Sequence, residues 1–150
     1  MQLDKFTDYG LRVLVTLATR APDRVATADI ARIYGLSANH LAKVATALVR
    51  GGFALSERGR GGGLTLSRPA DAINIGAVLR AMKQGVPVAE CFASDGASGG
   101  TPGGACLILP ACGLRAPLAE AQEAFFASLD RYTLADVTRQ RSALAALLAR

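Results

Sequence analysis

The sequence has no apolar run close to the roughly 18 residues that a membrane-spanning helix needs, and its start, MQLDKFTDYG, lacks the apolar core of a signal peptide. We therefore expect a cytoplasmic protein with no membrane partner. Cysteine is also scarce, with three residues in 150. Because cytoplasmic thiols are kept reduced, and an odd number cannot all pair within one chain, the sequence disfavours a disulfide framework.

Acidic residues are scarce in the first half of the chain. Residues 1–70 carry ten Lys and Arg against five Asp and Glu, whereas residues 71–150 carry seven of each kind. The whole formal charge of +5 therefore lies in the first half. This asymmetry favours a polyanionic partner there, most often nucleic acid. Charge alone is equally compatible with a basic face that is only solvated.

Local patterns in the first half predict a helix-turn-helix. Apolar residues at helical spacing predict a first helix over residues 8–19, with Thr7 as its N-cap. Thr27 can cap a second helix, ADIARIY, which Gly35 stops. Ser37 can cap a third, which ends at two glycines. Two helices joined by a tight turn with glycine are typical of a DNA-reading unit.

A predicted β-hairpin follows the third helix. FALSE and LTLSR alternate apolar and polar residues, and RGRGGG, residues 58–63, forms the turn between them. A hairpin after a recognition helix is a wing, and arginines at the tip of a wing can enter the minor groove of DNA. The alternative is an ordinary hairpin whose arginines are only solvated. The third helix should lie in the major groove. The candidate DNA contacts are Thr27, Ser37, Asn39, His40, Lys43, Arg58 and Arg60.

The second half predicts a connecting helix over residues 73–83, the cysteine-bearing loop, and a longer helix from about Arg115. Apolar residues line one face of that longer helix: Leu114, Leu118, Ala121, Phe125 and Leu129. A second copy of the chain is the simplest partner for this face, although packing on its own domain is also compatible with it. Thr133 and Asp136 predict a capping box, and the last stretch, RQRSALAALLAR, is expected to fray.

We therefore predict a mainly α fold with a small β-hairpin: a winged helix-turn-helix domain plus a long dimerisation helix. The domain boundaries are residues 1–70 for the DNA-binding unit, 71–113 for the connecting helix and cysteine-rich loop, and 114–150 for the dimerisation helix and tail.

The three cysteines are spaced C-x14-C-x5-C, without the CxxC pair typical of a zinc knuckle. A catalytic cysteine needs a nearby histidine, and the only histidine, His40, lies on the predicted recognition helix. We therefore do not expect an enzyme. Thiolates on a glycine-rich loop suit an iron-sulfur cluster, although three of them leave one iron of a 4Fe-4S cluster without a cysteine.

Four stretches carry a family resemblance: KFTDYGLRVL, ERGRGGGLTLSRP, CLILPACGLR and AQEAFFASLDRYTLADV. Together they resemble the NsrR family, the nitric-oxide-sensing iron-sulfur repressors of bacteria, over nearly the whole chain. The resemblance implies a homodimer that binds a palindromic operator in double-stranded DNA and releases it when nitric oxide attacks a 4Fe-4S cluster. It implies as ligands Cys91, Cys106 and Cys112 of one subunit and Asp8 of the other.

The sequence departs from the family pattern in one place and from two related branches in others. Fourteen residues separate Cys91 from Cys106, where the family has a short gap; a longer flexible loop adds little closure entropy, about 0.6 kcal/mol per doubling. Arg115 stands where a cluster-assembly branch has a histidine, and a redox-sensing branch has a histidine in the second helix, where this chain has none. Both absences favour Asp8 as the fourth ligand.

Two other classes of function stay open on the sequence. One is a cluster-free or zinc-binding winged-helix DNA-binding protein with structural thiols. The other is an iron-sulfur redox or cluster-carrier protein, which the position of the basic charge disfavours.

Overall fold

In a computed structural model, residues 3–59, 61–82, 88–92, 106 and 108–149 are described. They form seven α-helices and one two-stranded antiparallel sheet. The helices are α1 (Lys5–Arg20), α2 (Thr27–Tyr34), α3 (Ala38–Arg50), α4 (Ile75–Met82), α5 (Arg115–Leu129), α6 (Leu134–Val137) and α7 (Arg141–Leu148). The strands are β1 (Ala54–Glu57) and β2 (Gly63–Leu66). This mainly helical architecture with a small hairpin confirms the predicted winged-helix fold class.

The first helix begins earlier than its sequence pattern predicts. Asp4, and not Thr7, is the N-cap of α1, and its carboxylate accepts hydrogen bonds from the backbone N–H and the hydroxyl of Thr7, at 2.8 Å each. Burial alone would raise the pKa of Asp4, but the hydrogen bonds from Thr7, together with those from the backbone of Asp4 and Phe6, lower the pKa. A carboxylate is the stronger acceptor for the free N–H groups of a first turn, so it takes the cap position.

The helix-turn-helix differs from its prediction only at the caps. Thr27 is the first residue of α2, preceded by Ala26 as the N-cap, and Ser37 precedes α3 without a capping side-chain hydrogen bond. The turn is as predicted: Gly35 has φ +63° and donates its N–H to the carbonyls of Ala31 and Arg32. Only glycine adopts this left-handed conformation without strain.

The wing is anchored to the loop that follows α1. β1 pairs with β2 in the register Ala54 with Leu66 and Glu57 with Gly63, and the backbone of Val25 exchanges two hydrogen bonds with Leu64, at 2.9 and 3.0 Å. A side chain at Gly63 would place its Cβ 2.7 Å from the carbonyl oxygen of Val25. The close approach of these two backbones therefore requires glycine at position 63.

One hydrophobic core joins the helix-turn-helix to the second half of the chain. Side chains with at most 1% exposure come from helices and strands in both halves of the chain, and they include Leu14, Leu41, Leu64, Leu79 and Leu134, the first residue of α6. The backbone of Asn74 pairs with Thr133, which brings α4 next to α6. The predicted capping box is confirmed, because the side chains of Thr133 and Asp136 each accept from the other residue's backbone N–H.

The C-terminal segment forms a docked helix, so the prediction that it frays is wrong. α7 packs against α1, and Leu148 is buried. Arg141 donates to the carbonyls of Thr19, at 2.9 Å, and Ala21, and Arg20 donates to the carbonyl of Leu148 at 2.8 Å. These arginines donate to carbonyls at the C-terminal ends of α1 and α7. Without the docking of the two helices, these carbonyls would be hydrogen-bonded only to water.

The long helix α5 divides into two parts. Its second half packs back on the core through Phe126, which is 5% exposed, with Phe125 and Leu129 partly buried beside it. Its first half keeps Ala121 exposed, and Leu114, just before the helix, is 64% exposed. Within the described residues, no helix is both long enough and apolar enough to cross a membrane.

Candidate DNA interface and cysteine site

The helix α3 presents one apolar and one polar face. Leu41, Val44 and Leu48 are completely buried, whereas Ala42, Lys43 and Thr46 on the other face are exposed. The exposed set includes the predicted contacts Asn39, His40 and Lys43, and Ser37 is exposed just before the helix. The core therefore fixes the rotation of α3 so that its first two turns offer polar side chains to a ligand in solvent.

A groove of about 540 Å³ runs between α3 and the wing. It brings Thr27, at the start of α2, together with Arg58 of the wing, two predicted contacts that are far apart in sequence. Its polar lining also includes three residues that the sequence reading missed: Thr46, Arg50 and Ser56. Thr46 and Arg50 follow Lys43 by three and seven positions, so helical spacing could have indicated them.

A charged contact links the wing, next to its turn, to the loop that follows α1. Arg24, in the loop after α1, forms an ion pair with Glu57 at the end of β1, with 2.6 Å between Nη2 and Oε1. Arg58 follows Glu57 directly and stays exposed. Arg60, the other predicted contact at the tip, lies outside the described residues.

His40 has aromatic neighbours that the sequence pattern did not indicate. Its ring centroid lies 5.4 Å from that of Tyr9, in an edge-on geometry, and 6.2 Å from that of Phe6. Both partners belong to α1. The side chain of His40 is therefore in contact with the first helix while its residue remains exposed.

Asp8 lies in the first turn of α1 with its carboxylate partly exposed. Its Oδ2 is 2.8 Å from Nη2 of Arg12, one helical turn away. The hydrogen bond that Arg12 donates to the Asp8 carboxylate is the main cause that raises the pKa of Arg12. The Arg12 guanidinium also lies over the rings of Tyr9, at 6.0 Å, and Tyr34, at 5.7 Å.

The three cysteines lie on turns at the two ends of the long loop. Cys91 is within a 3-10 turn (Glu90–Phe92), and Cys112 directly follows another (Leu109–Ala111). All three thiols are free; Cys106 is exposed and the other two are half-buried. Among the residues that the structure describes, no group of three or more His, Cys, Asp or Glu side chains is placed to hold a metal ion.

A contact between side chains brings the two ends of this loop together. The Arg115 guanidinium lies over the ring of Phe92, 5.6 Å from its centroid. Phe92 is the neighbour of Cys91, and Arg115 follows Cys112 by three residues. The segments that carry Cys91 and Cys112 therefore lie close to each other. Free thiols are soft ligands that suit an iron-sulfur cluster.

A helix-turn-helix followed by a wing, joined to a cysteine-bearing segment, defines a class of transcription regulators. Within that class, the chain belongs to the Rrf2 family of iron-dependent transcriptional regulators, whose family model matches residues 3–140. Members of this family regulate transcription.

Solved structures of similar proteins share the fold. CymR (YrzC), the global cysteine regulator of B. subtilis, is 23% identical with a TM-score of 0.66, over 93% of this chain and 98% of its own. IscR of T. potens is 21% identical with a TM-score of 0.67, over 93% and 88%. CymR of Staphylococcus aureus is 23% identical with a TM-score of 0.65, over 89% and 95%.

Proposed function

We propose that this protein is a homodimeric repressor that binds a palindromic operator and senses nitric oxide through a 4Fe-4S cluster, as the NsrR branch of its family does. The observation that carries the proposal is the set of three free cysteines on one loop. The two ends of this loop meet where Arg115 contacts Phe92. Membership of a family of iron-dependent regulators supports iron as the metal.

The proposed DNA surface consists of the exposed face of α3, the start of α2 and the wing. Its candidate contacts are Thr27, Ser37, Asn39, His40, Lys43, Arg58 and Arg60, and the groove adds Thr46, Arg50 and Ser56. Arginine and lysine give electrostatic attraction to phosphates, and Asn39 can pair with a base edge. The unit of residues 1–70 carries a net charge of +5, which supports this surface as the polyanion-binding part.

The proposed ligands are Cys91, Cys106 and Cys112 of one subunit with Asp8 of the other. When bound, the cluster supplies irons that react with nitric oxide. Asp8 is suited to ligation across the dimer because its side chain, in the first turn of α1, is 38% exposed. Residues 71–113 then form the cluster-binding segment and 114–150 the dimerisation segment, with α7 lying against α1.

The experiment that tests this function is an anaerobic visible absorption and circular dichroism spectrum of the purified protein, with iron, sulfide and zinc counted on the same sample. The proposal expects four irons and four sulfides per chain and a spectrum that collapses when nitric oxide is added. Zinc alone, or metal-free protein that still binds DNA, would instead support a winged-helix regulator with structural thiols. Rapid cluster transfer without a palindromic footprint would support a cluster carrier.

A further inference from the structure

The first two turns of α1 contact both helices of the DNA-reading unit. Tyr9 meets His40 of α3 edge-on at 5.4 Å between ring centroids. Arg12 lies over Tyr34, the last residue of α2, at 5.7 Å. The hydroxyl of Tyr34 is also 3.0 Å from that of Thr16, so α2 is hydrogen-bonded to the same helix. The end of α2 and the start of α3 thus both contact the helix that carries Asp8.

His40 is the third residue of α3, where the helix enters the proposed major-groove position. Its ring lies against Tyr9 and Phe6 and so points back to α1. A ring held against α1 in this way is poorly placed to reach a base edge while it keeps that contact. Its position is better suited to setting the placement of α3 relative to α1.

We propose that His40, named above among the candidate DNA contacts, is instead a positioning residue, and that its contact with Tyr9 couples the state of Asp8 to the placement of the recognition helix. The inference rests on the proposed function, in which Asp8 is a ligand of the cluster. Asp8 and Tyr9 are adjacent in one helical turn, so a displacement of that turn when Asp8 binds or loses its ligand displaces the ring of Tyr9. His40 follows that ring and carries the start of α3 with it.

The size of the expected effect follows from the geometry of the contact. Edge-on aromatic pairs contribute about 0.5–1.5 kcal/mol beyond burial, which corresponds to a factor of about 2 to 12 in an equilibrium constant. The coupling requires that the contact is made in only one of two states, the cluster-loaded or the cluster-free dimer. Removing the contact should then reduce the ratio of the operator affinities of these two states by a factor in this range.

The test compares operator affinities of the cluster-loaded and cluster-free dimer. The probe is a duplex selected from a random library by the wild-type cluster-loaded protein, and binding is measured by fluorescence anisotropy at one fixed salt concentration. The variants are Tyr9→Leu, His40→Leu and the double variant, with Tyr9→Phe as the conservative control that retains the ring. The visible spectrum and thermal midpoint of each variant show whether it folds and holds its cluster.

We expect Tyr9→Leu and His40→Leu each to reduce the ratio of loaded to cluster-free operator affinity about 2- to 12-fold. The double variant should show no further reduction, and Tyr9→Phe should keep the wild-type ratio. Wild-type ratios in Tyr9→Leu and His40→Leu would overturn the coupling and leave the sensor function intact. An affinity loss in His40→Leu confined to one base-pair position, with the ratio unchanged, would show that His40 reads DNA. If the wild-type ratio itself is one, there is no response to transmit and the proposed function fails first.

Discussion

Asp8 and Asp29 form a matched pair of residues. Each lies in the first turn of a helix and is paired with an arginine of the same helix: Asp8 with Arg12 at 2.8 Å and Asp29 with Arg32 at 3.3 Å. A carboxylate in a first turn is favourable to the helix dipole whether or not it binds a metal. Only Asp8 belongs to the proposed ligand set. Comparing substitutions at Asp8 and Asp29 therefore distinguishes binding of the cluster from the local effect of a carboxylate on its helix.

We expect Asp8→Ala to lose iron more readily than the wild type on anaerobic desalting, or to change its nitric oxide titration, because the fourth ligand is gone. Asp29→Ala should keep the wild-type spectrum and iron content. The measurement is iron per chain and the visible spectrum before and after desalting. An unchanged spectrum and an unchanged titration in Asp8→Ala would remove Asp8 from the mechanism.

The capping box before α6 gives a residue-level prediction for stability. We expect Thr133→Ala to lower the free energy of unfolding by about 1 kcal/mol, because the hydroxyl that accepts the Asp136 N–H is removed. Thr46→Ala is the control, since its hydroxyl only donates to a carbonyl within α3. Urea unfolding at neutral pH measures both variants, and an equal loss in both would contradict a specific capping role.

The same site predicts a pH dependence. Hydrogen bonds from the backbone and side chain of Thr133, and then from Arg139, lower the pKa of Asp136 from 3.8 to about 2. Because the pKa is lower in the folded state, the stabilisation is fully present above pH 3.8 and is lost as the pH falls towards 2. Without the hydroxyl of Thr133 the pKa should rise, so the stability difference between wild type and Thr133→Ala should shrink over that interval.

At the scale of elements, the contact between α4 and the end of α5 depends on a glycine. A Cβ at Gly76 would lie 2.0 Å from Oδ1 of Asp130, which accepts a hydrogen bond from Arg80 at 2.6 Å. Arg80 also bonds Glu123 and lies over the ring of Phe126 at 5.0 Å. A side chain at position 76 would therefore displace the Asp130 carboxylate and disturb its hydrogen bonds with Arg80.

We expect Gly76→Ala to destabilise the protein by about 1–3 kcal/mol, the usual cost of overpacking. The control is Gly113→Ala, where a Cβ meets nothing within 4 Å. Chemical denaturation midpoints measure the difference between the two variants. A midpoint for Gly76→Ala that matches Gly113→Ala would mean that Asp130 moves aside without loss.

Elements fixed by neighbouring residues could be predicted from the sequence. The turn at Gly35, the hairpin and the capping box at Thr133 each depend on residues within a few positions of one another, and the structure has them where the pattern placed them. The cap of α1 was misplaced because Asp4 and Thr7 are both good N-cap residues, and their sequence does not show which accepts from the other.

Contacts between distant segments could not be predicted. The docking of α7 depends on Arg141 reaching carbonyls about 120 residues earlier in the chain, and no local pattern encodes that distance. The contact of His40 with Tyr9 has the same origin. For the cysteines, the sequence supplied the donors, while the meeting of the loop ends at Phe92 and Arg115 is a tertiary contact.

At the scale of the whole molecule, the first half of α5 is the surface that we propose for the dimer. Ala121 and Ala119 are both exposed and lie on opposite sides of the helix. We expect Ala121→Arg to weaken the dimer, because a long charged side chain enters the interface, and Ala119→Arg to leave it unchanged. Sedimentation over a concentration series measures the two. Equal dimer stability in both variants would place the interface elsewhere.

Operator binding should depend steeply on salt, because the basic unit replaces counterions on the DNA phosphates. We expect Arg58→Ala to weaken binding and to reduce the slope of log affinity against log salt by about 1. Arg131→Ala, an exposed arginine outside the winged unit, is the control. If Arg58→Ala has the wild-type binding isotherm and the wild-type salt slope, Arg58 is not part of the DNA interface. Arg60→Ala is expected to behave in the same way as Arg58→Ala.

The docking of α7 on α1 also affects the order in which the protein can fold during synthesis. Chains leave the ribosome N-terminus first, so α1 is available long before α7, which is made after every other helix described. Arg20 and the carbonyls of Thr19 and Ala21 have no α7 to bond until then. The growing chain therefore carries an α1 whose C-terminal end is incompletely packed, and it gains the contacts between α1 and α7 only once α7 has been translated.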